Sequence, residues 1–433
     1  MNFLVLAPNP WHGLWRNRQQ IFSRLAARHR VLYVEPQRAS LADWRRGRVR
    51  WDDLRRPALV QALPNLWLYR VPAWLPTRGT GDAFDRATDA LLAAHLRRVL
   101  RELSMVNDQR SMANDQRSMV NGQRPRGDDS RGLGHRQSTV DHWQLAIDHW
   151  PLLWLYRPTH WRWAADHLPH SRLIYHVTDD YTAFTHLSPA ERQAMAAAER
   201  ELLAAADLTI VTAARLLALK APYARRIELV PNGVDFAAFQ AALAEPGSLP
   251  AVDAIPRPRL LYSGHISARL DLPLLTELAR ARPSWHLVFA GSEDPRGCAE
   301  ELAQLKALPN VHFLGVLPVA QVPRLVAACD VGLVPYRVND ETRAISSLKL
   351  YEYLAAGKPA VSAAVPAAEE HADAVAIAEA TPAAWTAAVE AALATAADPA
   401  RVAARQAIAA ANTWEERVRR IEELVESLQG ERS

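Results

Sequence analysis

Residues 346–359 carry side chains whose types and spacing suit the binding of a phosphorylated ligand. Two hydroxyls, Ser346 and Ser347, precede an apolar helical stretch, and Lys349 follows within its first turn. The free N–H groups at a helix N-terminus attract an anion, and an ammonium placed there becomes favourable once a diphosphate is bound. Glu352, one turn later on the same helix face, could accept hydrogen bonds from a ribose diol. The pattern therefore predicts a phosphate-binding helix start.

The same spacing also fits an ordinary amphipathic helix, in which Lys349 and Glu352 form an ion pair and Gly357 ends the helix. Composition favours the ligand instead. Only four of the 51 basic Lys and Arg residues are lysines, and two of them, Lys349 and Lys358, fall in this run. We therefore expect these side chains to bind a ligand.

The segment 348–359 resembles the donor-binding motif of the GT-B class, the nucleotide-sugar glycosyltransferases built from two Rossmann-type domains. More narrowly, it is similar to the bacterial exopolysaccharide and teichuronic-acid glycosyltransferases of the family 4 type. The resemblance covers nearly the whole chain except one insertion, and it is strongest over 330–361. One departure is Ser347, where the family usually has proline. The resemblance implies donor-binding roles for Ser346, Ser347, Leu348, Lys349 and Glu352.

A glycine turn, Gly264 with His265, follows the first apolar run of the second half of the chain. A side chain at Gly264 would block the close approach of a phosphate or sugar to the backbone. Such a turn is often only structural, but the resemblance implies that Gly264 and the nearby Arg269 bind the donor, and we place His265 with them. Tyr336 and Arg337 end another apolar run. Tyr336 could stack on a base and Arg337 could meet a phosphate, or both could simply pack.

One position departs from the family pattern in a way that concerns the reaction. Many retaining relatives carry a second glutamate eight residues before the one that matches Glu352, and here that position is Ala344. This leaves both a retaining and an inverting mechanism open. Glu341, about one helical turn earlier, could substitute if its loop bends toward the ligand.

A polar cluster at the end of the apolar run 173–177 holds three candidate catalytic residues, His176, Asp179 and Asp180. Related enzymes have an aspartate-containing loop here. A carboxylate in a cleft can deprotonate an acceptor hydroxyl or stabilise positive charge at the anomeric carbon. The competing interpretation is a strand end where an aspartate caps the next turn. We expect Asp179 or Asp180 to be the base, with His176 as the alternative.

The loop after the first strand, residues 10–18, resembles the acceptor-side loop of the family, although a plain strand-to-helix connection would also explain it. From it we assign His12, Gly13 and Arg16 to the acceptor side. Residues 231–235 match a further family marker, but an Asn-Gly pair forms a turn by itself. We expect no metal site, because paired aspartates at this spacing are weak evidence and the class stabilises the leaving diphosphate with helix dipoles and basic groups.

Short apolar, β-branched runs alternate with helical stretches, a pattern typical of parallel α/β proteins. We expect strands at 3–6, 31–34, 66–71, 152–156, 173–177, 208–212 and 227–230, and then at 259–262, 286–290, 311–314, 331–334, 360–363 and 375–378. Two such sets predict an α/β fold with two Rossmann-like doubly wound domains that face a cleft.

A stretch rich in Pro and Gly separates the two sets and marks the linker. The predicted bounds are 1–240 for the N-terminal acceptor-side domain, 241–256 for the linker, 257–412 for the C-terminal nucleotide-sugar domain and 413–433 for a C-terminal helix. That helix has a capping box, Thr413 with Glu416, and an apolar stripe. As in relatives of the class, we expect it to cross back to the N-terminal domain.

Three near-identical heptads begin at Ser104, Ser111 and Ser118. A period of seven suggests a coiled coil, but each unit has only two adjacent apolar residues beside the poor helix formers Asn, Asp and Ser. We expect a duplicated insertion over 104–137 that forms a disordered surface loop without an assigned function.

The bulk composition limits the class of protein. At 433 residues and 49% hydrophobic, the chain is long enough for two domains of about 200 residues. Its net charge of +4 suits an anionic substrate or membrane surface rather than a nucleic-acid partner. Two cysteines are too few for a disulfide framework, which predicts a reducing cytoplasm. The N-terminus is interpreted as a buried strand rather than a signal peptide, and no apolar run is long enough to span a bilayer.

Tryptophan is concentrated near the start of the chain, where eleven of the 14 fall in the first 163 residues. The segment 43–51 interleaves tryptophan with arginine, which suits docking on an anionic bilayer, although a solvated charged loop has the same composition. We expect peripheral contact with the inner face of the cell membrane.

These expectations combine into one activity. We expect a cytoplasmic, metal-independent, hexosyltransferase-type glycosyltransferase that moves a sugar from a nucleoside diphosphate sugar to a lipid-linked glycan in exopolysaccharide biosynthesis. It would need no cofactor besides that co-substrate. The alternatives are a nucleotide-sugar epimerase on the same fold and a catalytically silent nucleotide-sugar-binding scaffold.

Overall fold

The computed structural model describes residues 1–12, 15–36, 40–46, 49, 51–76, 83–120, 152–184, 187–245 and 247–430. The chain divides into two compact units. The first unit consists of Met1–Trp11, Leu25–Tyr175 and Ala205–Asp207, and the second of His12–Arg24, His176–Ala204 and Leu208–Ser433. The domain bounds expected from the sequence stay predictions.

The described strands are β1 (Asn2–Leu6), β2 (Arg30–Glu35), β3 (Leu59–Leu63), β4 (Leu66–Arg70), β5 (Leu152–Leu155), β6 (Arg172–Val177), β7 (Leu208–Val211), β8 (Ile227–Leu229), β9 (Arg259–Ser263), β10 (His286–Ala290), β11 (Val311–Phe313), β12 (Val331–Val334), β13 (Ala360–Ser362) and β14 (Val375–Ile377).

The described α-helices are α1 (Asn17–Leu25), α2 (Leu41–Arg45), α3 (Trp51–Arg55), α4 (Ala83–Val120), α5 (Trp161–His167), α6 (Pro189–Ala205), α7 (Ala214–Lys220), α8 (Phe236–Ala244), α9 (Pro250–Asp253), α10 (Leu272–Ala281), α11 (Ala299–Lys306), α12 (Val322–Ala328), α13 (Leu348–Ala355), α14 (Pro366–Glu369), α15 (Pro382–Ala394), α16 (Pro399–Ala410) and α17 (Trp414–Gly430). Short 3₁₀ turns lie at Pro158–His160, Tyr181–Ala183, Ala221–Tyr223, Val319–Gln321 and Thr342–Ala344.

In the first unit the strands lie in the order β3-β4-β2-β1-β5-β6. Neighbours pair in parallel except β3 and β4, which are antiparallel. The register places Phe3 between Val31 and Leu152, and all three side chains are fully buried, as expected for parallel strands covered on both faces. Strand β6 carries the chain into the second unit at His176.

The second unit contains a parallel six-stranded sheet in the order β11-β10-β9-β12-β13-β14, and the parallel pair β7 and β8 also belongs to this unit. The strand order reverses between β9 and β12. Such a switch point opens a crevice beyond the carboxyl ends of the strands, where ligands of doubly wound sheets bind.

The predicted α/β class with two parallel sets of strands is confirmed. Every strand expected from the sequence is present, with bounds that agree to within one residue. Strand β3 was not predicted. It lies at an edge and its side chains are only partly buried, so its residues lack the continuous apolar run that marks the other strands.

The expectation of a disordered loop over 104–137 is wrong for residues 104–120, which continue helix α4. Propagating a helix costs far less than nucleating one, and the turns from Ala83 onward already provide the nucleus. The Met, Gln, Arg and Ala residues of the heptads are also good helix formers, which outweighs the Asn and Asp residues between them. Residues 121–137 lie outside the described residues.

The predicted C-terminal helix is present as α17, and the side chain of Thr413 caps its start. The backbone N–H of Glu416 donates to Oγ1 of Thr413 at 3.3 Å. Its apolar stripe is buried, including Trp414 and Ile421. Glu415 forms an ion pair with Arg24 at 2.7 Å.

The start of α17 also forms backbone hydrogen bonds with the chain segment before α8. The N–H of Val234 donates to the carbonyl of Asn412 at 3.0 Å, and the N–H of Trp414 donates to the carbonyl of Val234 at 3.1 Å. A Cβ atom at Gly233 would lie only 2.8 Å from the backbone of Thr413. The two segments therefore pack too closely for any residue but glycine at position 233.

Both cysteines, Cys298 and Cys329, are unpaired as disulfides and buried. Burial raises the pKa of the Cys329 thiol to about 12, and it also raises the pKa of Cys298. Among the helices in the described ranges, none is long and apolar enough to cross a bilayer.

Candidate functional site

A cavity of about 810 Å³ lies in the second unit, beyond the carboxyl ends of β9 and β12. Its walls come from the turn after β9, the start of α13, the start of α1 and the residues that follow β6. The strand order reverses between β9 and β12, so the cavity occupies the position where doubly wound sheets bind ligands.

Lys349 lies on the first turn of α13 and lines this cavity with only 9% of its surface exposed. Its Nζ donates a hydrogen bond to the hydroxyl of Tyr336 at 2.5 Å. The ammonium also lies 5.1 Å from the ring centre of Tyr262 and 4.9 Å from that of Tyr336, within range of cation–π attraction. These partners are neutral, so they hold the ammonium in place without cancelling its charge.

Two glycines make room for this arrangement. Gly264 has φ +147°, and a Cβ atom there would lie 3.1 Å from Cε of Lys349. Gly291 has φ +150°, and its Cβ would lie 1.8 Å from the carbonyl oxygen of Gly264. The predicted role of Gly264 as a point of close approach therefore has a structural basis. Gly291 packs directly against the backbone of this turn.

The start of α13 is left uncapped by side chains. Ser347 occupies the N-cap position, but its hydroxyl makes no capping hydrogen bond and has no partner among the described residues. Ser346 is held differently, because the N–H of Asn232 donates to its Oγ at 3.1 Å and Nδ2 of Asn232 donates to its carbonyl at 2.8 Å. The first-turn N–H groups, beginning at Leu348, therefore keep their capacity to bind an anion at the cavity wall.

Glu352 lines the cavity one turn after Lys349 and is partly buried. Burial raises the pKa of its carboxyl to about 7, and the charge of Lys349 opposes this rise. The carboxyl therefore changes its protonation near neutral pH, which makes its hydrogen-bonding role dependent on pH.

Arg269 also lines the cavity and has two acidic neighbours. Its Nε donates to Oε1 of Glu341 at 2.5 Å, and its terminal nitrogen lies 3.9 Å from Oδ1 of Asp179. Burial alone would lower the pKa of Arg269, but Asp179 and Glu341 raise it. Its guanidinium also lies 5.7 Å from the ring centre of Phe184. The group is a fixed cation whose remaining donors can serve a phosphate.

Arg16 and His265 line the same cavity. The pKa of Arg16 is lowered by burial and by the charges of Arg18 and Arg269, while Asp179 acts in the opposite direction. The pKa of His265 is lowered by burial and then by both Arg16 and Arg269, so its imidazole is neutral at physiological pH. Basic groups therefore dominate this wall.

The remaining predicted residues of the acceptor-side loop are placed differently. His12 is exposed and does not line the cavity. Gly13 lies outside the described residues. Of the two members of this predicted set that the structure describes, Arg16 lines the cavity and His12 does not.

The two predicted aspartates have different surroundings. Asp179 lines the cavity, and its Oδ2 accepts a hydrogen bond from Oγ1 of Thr178 at 3.1 Å. Asp180 is buried instead, and its Oδ1 accepts from Oγ1 and the N–H of Thr182 and from Nζ of Lys220 at 3.0 Å. Lys220 also donates to Glu199 at 2.8 Å. Of the two, Asp179 has access to a ligand in the cavity.

The buried cluster of Asp180, Lys220 and Glu199 accounts for the charge state of Asp180. Burial would raise the pKa of this carboxyl, but the charge of Lys220 and the hydrogen bonds from Thr182 and Lys220 lower it. Asp180 also caps the 3₁₀ turn Tyr181–Ala183. This geometry matches the turn-capping interpretation that the sequence left open.

His176 is 1% exposed and is not part of the cavity wall. Burial, assisted by the charge of Arg18, lowers the pKa of its imidazole to about 3. The ring is therefore neutral at physiological pH and is packed inside the unit.

Tyr336 lines the cavity, but its ring is 6% exposed and its hydroxyl is bound to Lys349. Arg337 does not line the cavity, and its terminal nitrogen donates to Oε2 of Glu301 at 2.8 Å. The structure thus places Tyr336 as a support for Lys349, and Arg337 in an ion pair on another side of its loop.

Sequence reasoning missed Asn232 and Lys220. Asn232 was noted as part of a family marker and a turn without a role of its own, yet it anchors Ser346 from 114 residues away. Lys220 carried one usable signal, since it is one of only four lysines in the chain. Nothing local in the sequence connects it to Asp180.

No group of three or more His, Cys, Asp or Glu side chains that could hold a metal ion occurs in the part of the chain that the structure describes. The positive charge near the cavity comes from side chains and from the helix start. The expected independence of metal stays a prediction.

Part of the second unit is similar to a known protein family. A family model described as "Glycosyl transferases group 1" matches residues 257–395. This segment is similar to the group 1 glycosyltransferase domain, and the match covers less than half of the chain. It contains Gly264, Arg269, Lys349 and Glu352, which all line the cavity. The resemblance inferred from residues 348–359 is therefore confirmed.

A curated relative points to the same class. The teichuronic acid biosynthesis glycosyltransferase TuaH of Bacillus subtilis is 32% identical over 143 residues, which make up 33% of this chain and 35% of TuaH. The chain thus matches about a third of the length of this relative.

Two solved structures extend the likeness to the whole chain. Sucrose-phosphate synthase from Thermosynechococcus elongatus has a TM-score of 0.64 and 17% identity, with 99% of each chain covered. HepE from Anabaena, solved in complex with UDP and glucose, has a TM-score of 0.60 and 15% identity, with 99% of this chain and 100% of HepE covered. These likenesses show that the chain has the GT-B fold.

Proposed function

We propose that this chain is a glycosyltransferase that moves a hexose from a nucleoside diphosphate sugar to a glycan acceptor. The observation that carries the proposal is the position of Lys349, on the first turn of α13, beside the open side of Gly264. The uncapped helix start and Arg269 add further positive charge to the same cavity. The matching group 1 domain and the UDP and glucose bound to HepE support a nucleotide sugar as the ligand.

In the proposed reaction the acceptor hydroxyl attacks the anomeric carbon of the donor sugar, and the bond from that carbon to the diphosphate oxygen breaks. The diphosphate leaves with the bonding electrons, and its charge is stabilised by Lys349, by Arg269 and by the N–H groups at the start of α13. Of the two aspartates predicted from the sequence, Asp179 lines the cavity, and we propose that its carboxylate takes the proton of the acceptor. This route uses no cofactor besides the co-substrate, and side chains supply the charge that a metal would otherwise provide.

The finer proposal is that the acceptor is lipid-linked and belongs to cell-surface polysaccharide synthesis. The name of TuaH supports the polysaccharide. For the lipid, the first unit offers a surface that we call the aromatic–basic patch, made of Trp44, Trp74, Leu91, His95 and Arg98.

Contacts connect Trp44, Trp74 and His95 within the aromatic–basic patch. Nε1 of Trp44 donates to the carbonyl of Ala73, next to Trp74. The rings of Trp74 and His95 lie 5.9 Å apart, edge to face. On α4, Leu91 and Arg98 lie about one turn to either side of His95.

The exposure of these side chains supports a membrane partner. Trp74 is 52% exposed and Leu91 56% exposed, while the side chain of Arg98 is 72% exposed and pairs with Glu102 through Nε at 2.7 Å, which leaves its terminal N–H groups for a phosphate. Exposed tryptophan beside arginine suits the interface of an anionic bilayer, where the ring meets the headgroup region and the cation meets phosphate. We propose that this patch brings the site to a lipid-linked acceptor.

The decisive test incubates the purified protein with a panel of nucleotide sugars and a bacterial lipid extract. We expect one donor to be consumed only when the extract is present. An inverted product would assign the acceptor proton to Asp179, and a retained product would assign it to the leaving phosphate. Conversion of a donor without acceptor would support the epimerase, and binding without turnover would support the scaffold. A folded protein that neither binds nor consumes any donor would overturn the proposal.

A matched pair of lysine variants tests the site itself. Lys349→Ala should weaken binding of the consumed donor by about 10- to 100-fold, because a charge-assisted hydrogen bond contributes roughly 1.5–3 kcal/mol. Lys306→Ala is the control, since Lys306 pairs with Glu293 outside the cavity. Isothermal titration gives both affinities. Equal affinities of the two variants would remove Lys349 from the site.

A further inference from the structure

We propose that Glu341 is a positioning residue that orients Arg269 toward the donor diphosphate. This inference rests on the proposed function, since it assumes that a diphosphate occupies the cavity. Glu341 was considered from the sequence as a substitute for the glutamate that Ala344 replaces. The structure supports a different role for it, one that acts through Arg269.

The contact between Glu341 and Arg269 is short and well shielded. Oε1 of Glu341 accepts from Nε of Arg269 at 2.5 Å, and the Glu341 side chain is 11% exposed. Arg269 lines the cavity and Glu341 does not. Glu341 therefore lies behind the guanidinium as seen from the cavity, where it can fix Arg269 but is not placed to touch a ligand.

The backbone of Glu341 is itself held in place by its neighbour Thr342, whose side chain is fully buried. Oγ1 of Thr342 donates to the carbonyl of Arg337 at 2.7 Å and accepts from the N–H of Asn339 at 2.9 Å. The N–H of Thr342 donates in turn to Oδ1 of Asn339 at 3.0 Å. This closed set of hydrogen bonds fixes the loop that presents Glu341.

Arg269 is fixed from its own backbone as well. Its carbonyl accepts from the N–H of Arg337 at 2.9 Å, and Leu270 forms an antiparallel bridge with Tyr336. The loop of Glu341 and the loop of Arg269 are therefore joined by backbone and side-chain contacts. With Nε bound to Glu341, the four terminal N–H groups of the guanidinium remain for Asp179 and the cavity.

A guanidinium on a long side chain loses rotamer freedom when it binds a phosphate, and that loss weakens binding. Glu341 reduces the loss because it orders Arg269 before the donor arrives. Removing Glu341 should therefore weaken donor binding only while Arg269 is present. A double-mutant cycle measures this dependence directly.

The cycle uses Glu341→Ala, Arg269→Ala and the double variant, with donor affinity measured by isothermal titration. We expect Glu341→Ala to weaken binding about 5- to 20-fold and Arg269→Ala at least as much. The double variant should bind within twofold of Arg269→Ala alone. If the two losses multiply in the double variant, Glu341 acts independently of Arg269 and the inference is overturned.

Two further variants keep the test decisive. Glu341→Gln retains an oxygen that can accept from Nε, so it should recover most of the affinity and guard against a folding defect in Glu341→Ala. Glu301→Ala is the matched control, because it breaks the ion pair of Arg337 on the same loop, and it should bind donor within twofold of wild type. If Glu301→Ala weakens binding as much as Glu341→Ala, general disturbance of the loop explains the result and the inference fails.

The lysine variant separates this inference from the proposed function. If Lys349→Ala binds donor as tightly as wild type, the donor site itself is wrong. If Lys349→Ala weakens binding but the cycle at Glu341 and Arg269 is additive, the donor site stands and only the positioning role is overturned.

Discussion

The carboxyl of Glu352 shows how burial changes the chemistry of a single residue. In the free protein burial raises its pKa to about 7, so the protonated form is the main one below neutral pH. The proposed contact with a ribose diol needs the carboxylate, which accepts two hydrogen bonds. Donor binding must then release about half a proton at pH 7 and nearly a whole proton at pH 6.

The sign of the pH dependence follows from this release. Affinity for a nucleotide sugar should be constant above about pH 8 and fall roughly tenfold between pH 8 and pH 6, because one proton is displaced. Titration calorimetry across this range measures the change. Glu352→Gln should bind more weakly but with no slope. A wild-type affinity that does not vary, or an equal slope in the glutamine variant, would contradict this account.

Single residues also show where sequence reasoning stops. Lys349 and Glu352 could be predicted because their types and spacing suit a diphosphate and a ribose diol, whereas Gly264 and Arg269 needed the family resemblance as well. All four line the cavity. The choice between Asp179 and Asp180 could not be made from sequence. It depends on Lys220, whose ammonium reaches Asp180 from 40 residues away in the chain. Burial and long-range pairing decide which of two adjacent carboxylates can meet a ligand.

At the scale of elements, the turn after β9 depends on the turn after β10. Gly291 approaches Gly264 so closely that a Cβ atom would lie 1.8 Å from the Gly264 carbonyl oxygen. One of the two turns would have to shift to accept a side chain. The site at Gly264 is therefore supported from outside its own element.

Gly291→Ala should consequently reduce both stability and donor binding. Urea unfolding should show a loss of several kcal/mol, more than the roughly 1–3 kcal/mol that a positive φ alone costs a residue other than glycine. Gly315→Ala is the control, because Gly315 has φ +69° but a Cβ atom there meets nothing within 4 Å. Similar losses for the two variants would show that the close approach is not what requires glycine at position 291.

The elements themselves differ in how far sequence could predict them. Fully buried parallel strands appear as continuous apolar runs, and these were predicted correctly. Strand β3 is an edge strand joined to β4 by a short turn in which Asn65 has φ +67°. Asparagine tolerates this conformation, and it was the one signal of a hairpin there. In α4 the heptads were misjudged because their own propensity was considered without the helix that precedes them.

At the scale of the whole molecule, the question is where the protein works. No helix in the described ranges can span a bilayer, while the aromatic–basic patch of the first unit exposes two tryptophans, a leucine and an arginine. If this patch docks on a membrane, binding must depend on both its apolar side chains and the charge of the lipid.

Sedimentation with vesicles tests this dependence. Wild type should bind vesicles that contain anionic phospholipid more tightly than neutral vesicles, and Trp74→Ser with Leu91→Ser should weaken that binding at least about tenfold. Donor affinity should not change. Tyr223→Ser is the control, since Tyr223 is 45% exposed and lies beside Arg200, outside the patch. Equal losses for the control and the double variant would argue against docking through this surface.

The two buried cysteines have a practical consequence for such experiments. Thiol reagents attack the thiolate, and burial keeps both Cys298 and Cys329 protonated and shielded. A new cysteine in place of Trp44 would therefore be the readily labelled thiol of the folded chain, with the native cysteines left unchanged. A polarity-sensitive fluorophore attached there would report in real time whether this part of the first unit leaves water when vesicles are added.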